Sequence, residues 1–256
     1  MEQATSCAVS QPTFLPWLGW FDLVDQVDLF VILDDVAFSK QSWQQRNRIR
    51  TARGLEFVSV PVKTAGRMGQ NISDCELVDI SFVTRMLKSL QTSYAKAPYF
   101  AEAIADLTGV LHAAAMGHRL VELNCGLIDW IAGRLGVSTP MVRASTLKVP
   151  GQRGEHVAAI CEAVGAAHYV SPAGAENYLI DDRQAFSERN IAVWIQRYEH
   201  PQYAQVFSPF MAHACALDVI FNLGADAGES MRSGRRPIRV LGEYASGKPE
   251  WVQHEN

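Results

Sequence analysis

The chain has 256 residues, 48% of them hydrophobic and 20% charged, and carries a formal net charge of −4. This is ordinary globular usage, with length enough for a sizeable core in one large domain. The acidic balance excludes a general polyanion binder, so any attraction for phosphate has to be local.

Five cysteines, Cys7, Cys75, Cys125, Cys161 and Cys215, are far apart and never form a C-x-x-C pair. Neither a disulfide framework nor a zinc knuckle is expected, and a reducing cytoplasm is the default setting. The opening residues lack the basic and apolar regions of a signal peptide, and no apolar run reaches the ~18 residues of a spanning helix. No membrane partner is expected.

In chain order, Cys7, Ala8 and Val9 form a short apolar run that breaks at Pro12. This predicts a buried strand. Pro16 suits the first turn of a helix, and Leu18, Phe21, Leu23, Val24 and Val27 continue at helical spacing. The run "VDLFVILDD" is the strongest strand signal, and its continuous apolar core predicts burial on both faces. Strand, short helix and strand within ~30 residues predict a βαβ unit with a parallel pair. "RNRIRTARGLEFVSVPV" predicts a hairpin turning at Gly54.

Helical patterns follow over 81–97, 100–111 and 117–135, ending at Gly136; this stretch, about 81–137, is expected to form a helical subdomain. "PMVRAST" reads as a strand, "RGEHVAAICEAVGA" as a helix with Gly165 near its end, "HYVS" as a strand, "PAGAENYL" as a loop, "IAVWIQRY" as a strand and "ALDVIFNLG" as a helix. The Arg-rich tail after Met231 reads as a loop. The expected fold is therefore one α/β domain over 1–256, with a mostly parallel Rossmann-like sheet, an antiparallel hairpin and a helical insertion.

Several groups of residues suggest chemistry. Gln11 lies just past the first strand, where open α/β sheets bind ligands, and offers both a donor and acceptors. Trp17 is either an apolar wall or core, whereas Trp20 reads as core. Asp34 and Asp35 close the second strand. A carboxylate there orients a hydroxyl or accepts a proton, but Asp also caps turns. Adjacent strand residues point to opposite faces, so the two do not act as one unit. Asp22, Asp25 and Asp28 read as a solvated helix face.

Lys40, Arg46, Arg48, Arg50, Arg53, Lys63 and Arg67 make a local basic run opposed only by Glu56, with Trp43 and Asn47 inside it. Arg binds phosphate or carboxylate in two-pronged fashion, and Trp stacks on rings. On a strand Arg46, Arg48 and Arg50 share one face, which is either an anion site or a solvated row. An exposed like-charged row costs stability, which favours a ligand.

Tyr169 to Leu179, "YVSPAGAENYL", reads as a strand ending in a second small-residue ligand loop at the same sheet edge. His200, Tyr203 and His213 are acid–base candidates by type alone. Asp218 sits in an apolar helix and needs a partner if buried, for which an Arg of the basic run is the natural guess. Phosphate-loop, dinucleotide, nucleophile-elbow and zinc-helix motifs are all absent, and neither metal nor cofactor is expected.

"SQPTFLPWLGWFDLVDQVDLFVILDDVAFSKQSWQQRNRIR", "LEFVSVPV", "AKAPYF", "GAAHYVSPAGAENYL" and "PQYAQVFSPFMAHACALDVIFNLG" together resemble the WbqC-like family over residues 8–236. That family is associated with surface-polysaccharide and sugar-modification pathways, so the resemblance implies acylation or aminoacylation of an amino sugar. One departure is "HACALD", where the family usually reads leucine-serine-isoleucine-isoleucine-aspartate. Asp218 keeps the acid, whereas His213 and Cys215 do not follow the pattern. The opening segment also resembles nucleotidylyltransferase-like folds but lacks their H-x-G-H motif.

The leading expectation is an acyl- or aminoacyl-transferase acting on an amino sugar or small amine. Gln11, Asp34 and Asp35 are its candidate catalytic residues. Trp17, Lys40, Trp43, Arg46, Asn47, Arg48, Ser171, Tyr178, Tyr203 and Asp218 are its candidate substrate contacts. The expected partner is a phosphate-bearing small molecule, a nucleotide sugar or CoA-like donor; tRNA is the one nucleic acid kept open. A nucleotide-activating enzyme and a non-catalytic binding module are the alternatives.

Overall fold

The computed structural model describes residues 6–241. The first apolar run is β1 (Ser6–Ser10), followed by α1 (Leu18–Asp25) and β2 (Leu29–Ile32). β1 and β2 pair in parallel, with Cys7 opposite Leu29 and Val9 opposite Val31. The strands lack polar alternation because both faces are covered. Period-two geometry sorts their side chains: Ala8, Phe30 and Ile32 join one buried cluster, and Cys7, Val9 and Val31 join the other.

β3 (Arg46–Thr51) and β4 (Gly54–Ser59) form a separate two-stranded antiparallel sheet. Its turn places Gly54 at φ 125°, a conformation that favours glycine. Three helices follow, α2 (Ser81–Tyr94), α3 (Phe100–Met116) and α4 (Leu120–Leu135). Leu90, Leu107 and Leu127 from these helices lie in the same buried cluster as Ala8 and Phe30.

β5 (Met141–Arg143), a turn of helix α5 (Ala144–Leu147), α6 (Arg153–Ala163) and β6 (His168–Ser171) come next. The chain then passes through α7 (Glu176–Ser187), β7 (Ala192–Tyr198), α8 (Leu217–Leu223), α9 (Ala227–Ser233) and β8 (Arg235–Val240). The main sheet runs β5-β2-β1-β6-β7-β8, parallel except for β8. The fold is α/β, as expected. Among the described residues no helix is long and apolar enough to cross a membrane.

Three local expectations are corrected. "PAGAENYL" is only half loop: a short turn over Ala173–Ala175 leads straight into α7. Leu179 and Phe186, one heptad apart, bury that helix against the sheet. The Arg-rich tail contains the edge strand β8, where Pro237 and charged side chains are compatible with pairing on one side only. Finally, the acids of α1 are not a solvated face. Asp22 is fully buried, Arg235 Nε donates to it at 2.8 Å, and Arg232 and Arg235 both pair with Asp25.

β1 lies between β2 and β6. The chain leaves β1 on one side through β2 and β5, then crosses to β6 on the other. The connections therefore diverge at the carboxyl ends of β1 and β6, which is where open α/β sheets bind ligands.

Candidate functional site

The loop after β1, residues 11–17, lies at that carboxyl edge of the sheet. Leu15 is held at φ 47°, a left-handed conformation a non-glycine residue keeps only when its surroundings impose it. The constraint comes from Asn47, whose Nδ2 donates to the carbonyls of Phe14 and Leu15 at 3.1 and 2.8 Å. Asn124 of α4 donates in the same way to Pro12 O (2.7 Å) and Gln44 O (2.8 Å). Two buried amides thus clamp the loop.

Trp17 ends the loop inside a cluster of rings. Its indole stacks on His200 (6.2 Å, 14°), lies 5.2 Å from His213 and meets Tyr198 edge-on at 5.5 Å. A Cβ on Gly19 would come within 2.3 Å of the indole, so glycine at that position makes room for the ring. Trp20, by contrast, is a core residue packed on Phe21 and Phe30.

His200 follows the end of β7. Its Nδ1 lies 2.9 Å from the Pro201 carbonyl, which only accepts, so Nδ1 carries the hydrogen. In the neutral ring Nε2 then holds a lone pair, and that atom is buried without a partner. Burial pushes the ring's pKa down to about 4, and nearby His213 adds to the effect. His213 is itself lowered, by burial and by Arg48, and sits at φ 65°.

The basic run does not form one patch. Lys63 and Arg67 pair with Glu76, and Arg53 pairs with Glu56. Arg50 is buried and donates to the carbonyls of Thr51, Phe207 and Pro209. Lys40 is exposed. Arg46 lies over the Phe57 ring at 4.3 Å, and Arg48 over Trp43 at 5.4 Å. Arg48 is half-buried, its Nε lacks a hydrogen-bond partner, and among the described residues no carboxylate pairs with it.

Asp218 is fully buried, but its partners are not arginines. Tyr203 Oη donates to it at 2.7 Å, Gln205 Nε2 at 2.8 Å and Tyr94 Oη at 2.9 Å. Arg50 acts on it only through its field. Burial raises the Asp218 pKa and the three donors oppose the rise; burial and Asp218 push the Tyr203 hydroxyl up. Gln205 in turn brackets Met211, accepting from its N–H at 2.8 Å and donating to its carbonyl at 3.1 Å. Asp218 therefore positions the 200–216 segment that carries both site histidines.

Asp34 is fully buried and accepts from Arg143 Nε (2.7 Å), Ser145 N (2.9 Å) and Ser145 Oγ (2.8 Å). Asp35 points elsewhere, with both oxygens 3.2 Å from His156 Nε2. The pair therefore splits, as strand geometry requires. Ser171 is buried, with Oγ donating to Pro172 O at 3.2 Å, whereas Tyr178 is 74% exposed on α7. Gln11 is exposed just past the carboxyl end of β1, accepting at Oε1 from Gln44 Nε2 at 2.8 Å.

The fold thus brings together Trp17, Trp43, Arg48, Tyr203 and Asp218 around the 200–216 segment. Asn47 becomes a clamp and Asp34 a turn anchor. Gln44 and Asn124 were not singled out from the sequence; an asparagine inside the apolar run of α4 was the available signal for the second. Burial pushes the Cys75 thiol up to about 11 and the Cys125 and Cys215 thiols up to about 12, so these three are poor nucleophiles. The arrangement can hold an anion on Arg48, pack rings against a sugar or base, and accept a proton at His200.

No solved structure matches the chain. The uncharacterized protein Rv1507c of Mycobacterium tuberculosis is 33% identical over 230 residues, covering 90% of this chain and 98% of its own. A family model described as the WbqC-like protein family matches residues 11–230, a span that holds the clamped loop, the ring cluster and Asp218. The chain belongs to the WbqC-like protein family.

Proposed function

We propose that this protein is an acyl- or aminoacyl-transferase that modifies an amino sugar or related small amine in surface-polysaccharide or secondary-metabolite biosynthesis. The observation that carries the reading is Arg48, a half-buried guanidinium without a carboxylate among the described residues, set over Trp43 and close enough to His213 to lower its pKa. Such a cation is held at a cost unless an anionic ligand offsets its desolvation. The phosphates of a nucleotide sugar or a CoA-like donor supply that anion, and Arg46, two residues before Arg48 on the same strand face, extends the contact.

In this reading Trp17 and Trp43 pack against the sugar or base. The amine nitrogen forms the new amide bond as the acyl–sulfur bond of a CoA-like thioester, or the acyl–oxygen bond of an aminoacyl ester, breaks, and the proton that the amine loses passes to the departing thiolate or alkoxide. Electrostatic stabilisation does the rest, without a covalent enzyme intermediate. Asp34 and Asp218 act by positioning. The test incubates the protein with a uridine-diphosphate-linked amino sugar and a panel of acyl-CoA and aminoacyl donors, and analyses the products by mass spectrometry. An amide-linked product that Arg48→Ala fails to form supports the reading. An amine left unmodified across the whole panel contradicts it, whereas pyrophosphate release from ATP instead identifies an activating enzyme.

A further inference from the structure

The amide of Gln11 has its two ends chemically fixed by groups behind it. Ser39 N–H can only donate, and it donates to Gln44 Oε1 at 2.9 Å. The opposite end of Gln44 is therefore its NH2, which donates to Gln11 Oε1 at 2.8 Å. That bond fixes which end of the Gln11 amide is oxygen, so its NH2 lies at the other end with hydrogens available. Gln44 has no freedom to reverse this order. Its side chain is buried (3% exposed), and its backbone carbonyl is pinned by Asn124. Gln11 itself is exposed at the carboxyl end of β1, beside the point where the strand order diverges.

From this relay we infer that Gln11, oriented by Gln44, presents its NH2 to a lone-pair oxygen of the bound ligand. Resting on the transferase reading, that oxygen is the carbonyl of the acyl group being transferred. β1 and β7 are separated by β6, so their carboxyl ends lie roughly 10 Å apart. Gln11 and the His200 cluster follow these two strand ends, so an extended ligand contacting both lies across β6. Gln44 touches no ligand and acts only through Gln11, as a positioning residue.

Two measurements on the full chain test this. The first needs no ligand: hydrogen exchange of side-chain amides by NMR. The Gln44 NH2 is expected to be protected and the Gln11 NH2 to exchange freely; protection on Gln11 instead overturns the relay. The second is a double-mutant cycle with Gln11→Ala, Gln44→Met and the pair, titrated with acetyl-CoA and with a uridine-diphosphate-linked amino sugar, with melting temperatures as the folding control. Gln11→Ala is expected to weaken acetyl-CoA binding about three- to tenfold and to leave the amino sugar unaffected. Gln44→Met weakens the same probe less, and adds nothing in the Gln11→Ala background. Additive losses, or unchanged binding in Gln11→Ala, overturn the inference while leaving the transferase reading intact. If neither probe binds wild type, the transferase reading fails, and the amide exchange still decides the relay.

Discussion

At the scale of single residues, protonation is governed by burial more than by charge pairs. His200 is held neutral because its ring is taken out of water among Trp17, Tyr203, Phe210 and His213. The consequence for stability has a definite sign. The folded ring has its pKa lowered from 6.5 to about 4, so between these values the unfolded chain binds the proton and the folded chain does not. Stability is therefore lost as pH falls from about 6.5 towards about 4. His213, lowered by burial and by Arg48, contributes in the same direction. Urea unfolding of wild type and His200→Gln at pH 7, 5.5 and 4.5 checks this: the variant is expected to lose less stability on acidification. Equal losses in the two proteins contradict the assignment of His200 as a buried neutral ring.

Asp218 shows how far residue-level reasoning from sequence reaches. A carboxylate in an apolar helix requires a partner, and that much is legible. The actual partners, Tyr94, Tyr203 and Gln205, come from α2 and from an irregular segment, up to 124 residues away. No local pattern encodes that meeting. Asp218→Asn places an amide N–H opposite groups that already donate, which is expected to cost about 1–3 kcal/mol. Its melting temperature should fall, and the amides of residues 200–216 should lose protection from exchange.

At the scale of elements, the parallel β1–α1–β2 unit and the β3–β4 hairpin were readable because apolar runs and a glycine turn are local signals. α7 and β8 were not. The first begins directly after a small-residue turn, and the second carries Pro237 and three arginines, which mimic a loop unless the strand lies at an edge. What makes β8 a strand is its docking: Arg235 reaches the buried Asp22 on α1. Arg235→Ala leaves Asp22 with Gln26 and Gln196 as donors and is expected to destabilise by about 1–3 kcal/mol, read from urea midpoints. Gly19 is the corresponding element-level determinant of the site. Gly19→Ala drives a methyl into the Trp17 indole and is expected to cost about 1–3 kcal/mol. It should also shift the Trp17 fluorescence, because the ring loses its place against Tyr198 and His200.

At the scale of the whole molecule, the site is a property of strand order. The loop after β1 and the segment after β7 meet at Trp17, His200 and His213, at the carboxyl edge of a sheet whose connections diverge beside β1. The basic run reads as a single patch in sequence. The fold instead neutralises part of it on Glu76 and Glu56, buries Arg50, and leaves Arg48 facing the ring cluster. Under the proposed function, Arg48 rather than net charge is the centre of anion binding.

The most direct measurement is therefore a calorimetric titration of a uridine-diphosphate-linked amino sugar and of acetyl-CoA into wild type, Arg48→Ala and Arg53→Ala. Arg53 pairs with Glu56 on the exposed hairpin turn and is the control. Loss of one charge-assisted contact predicts a weakening of about ten- to a hundredfold in Arg48→Ala, with Arg53→Ala unchanged. Equal affinity in wild type and Arg48→Ala, or an equal loss in both variants, would contradict an anion site centred on Arg48.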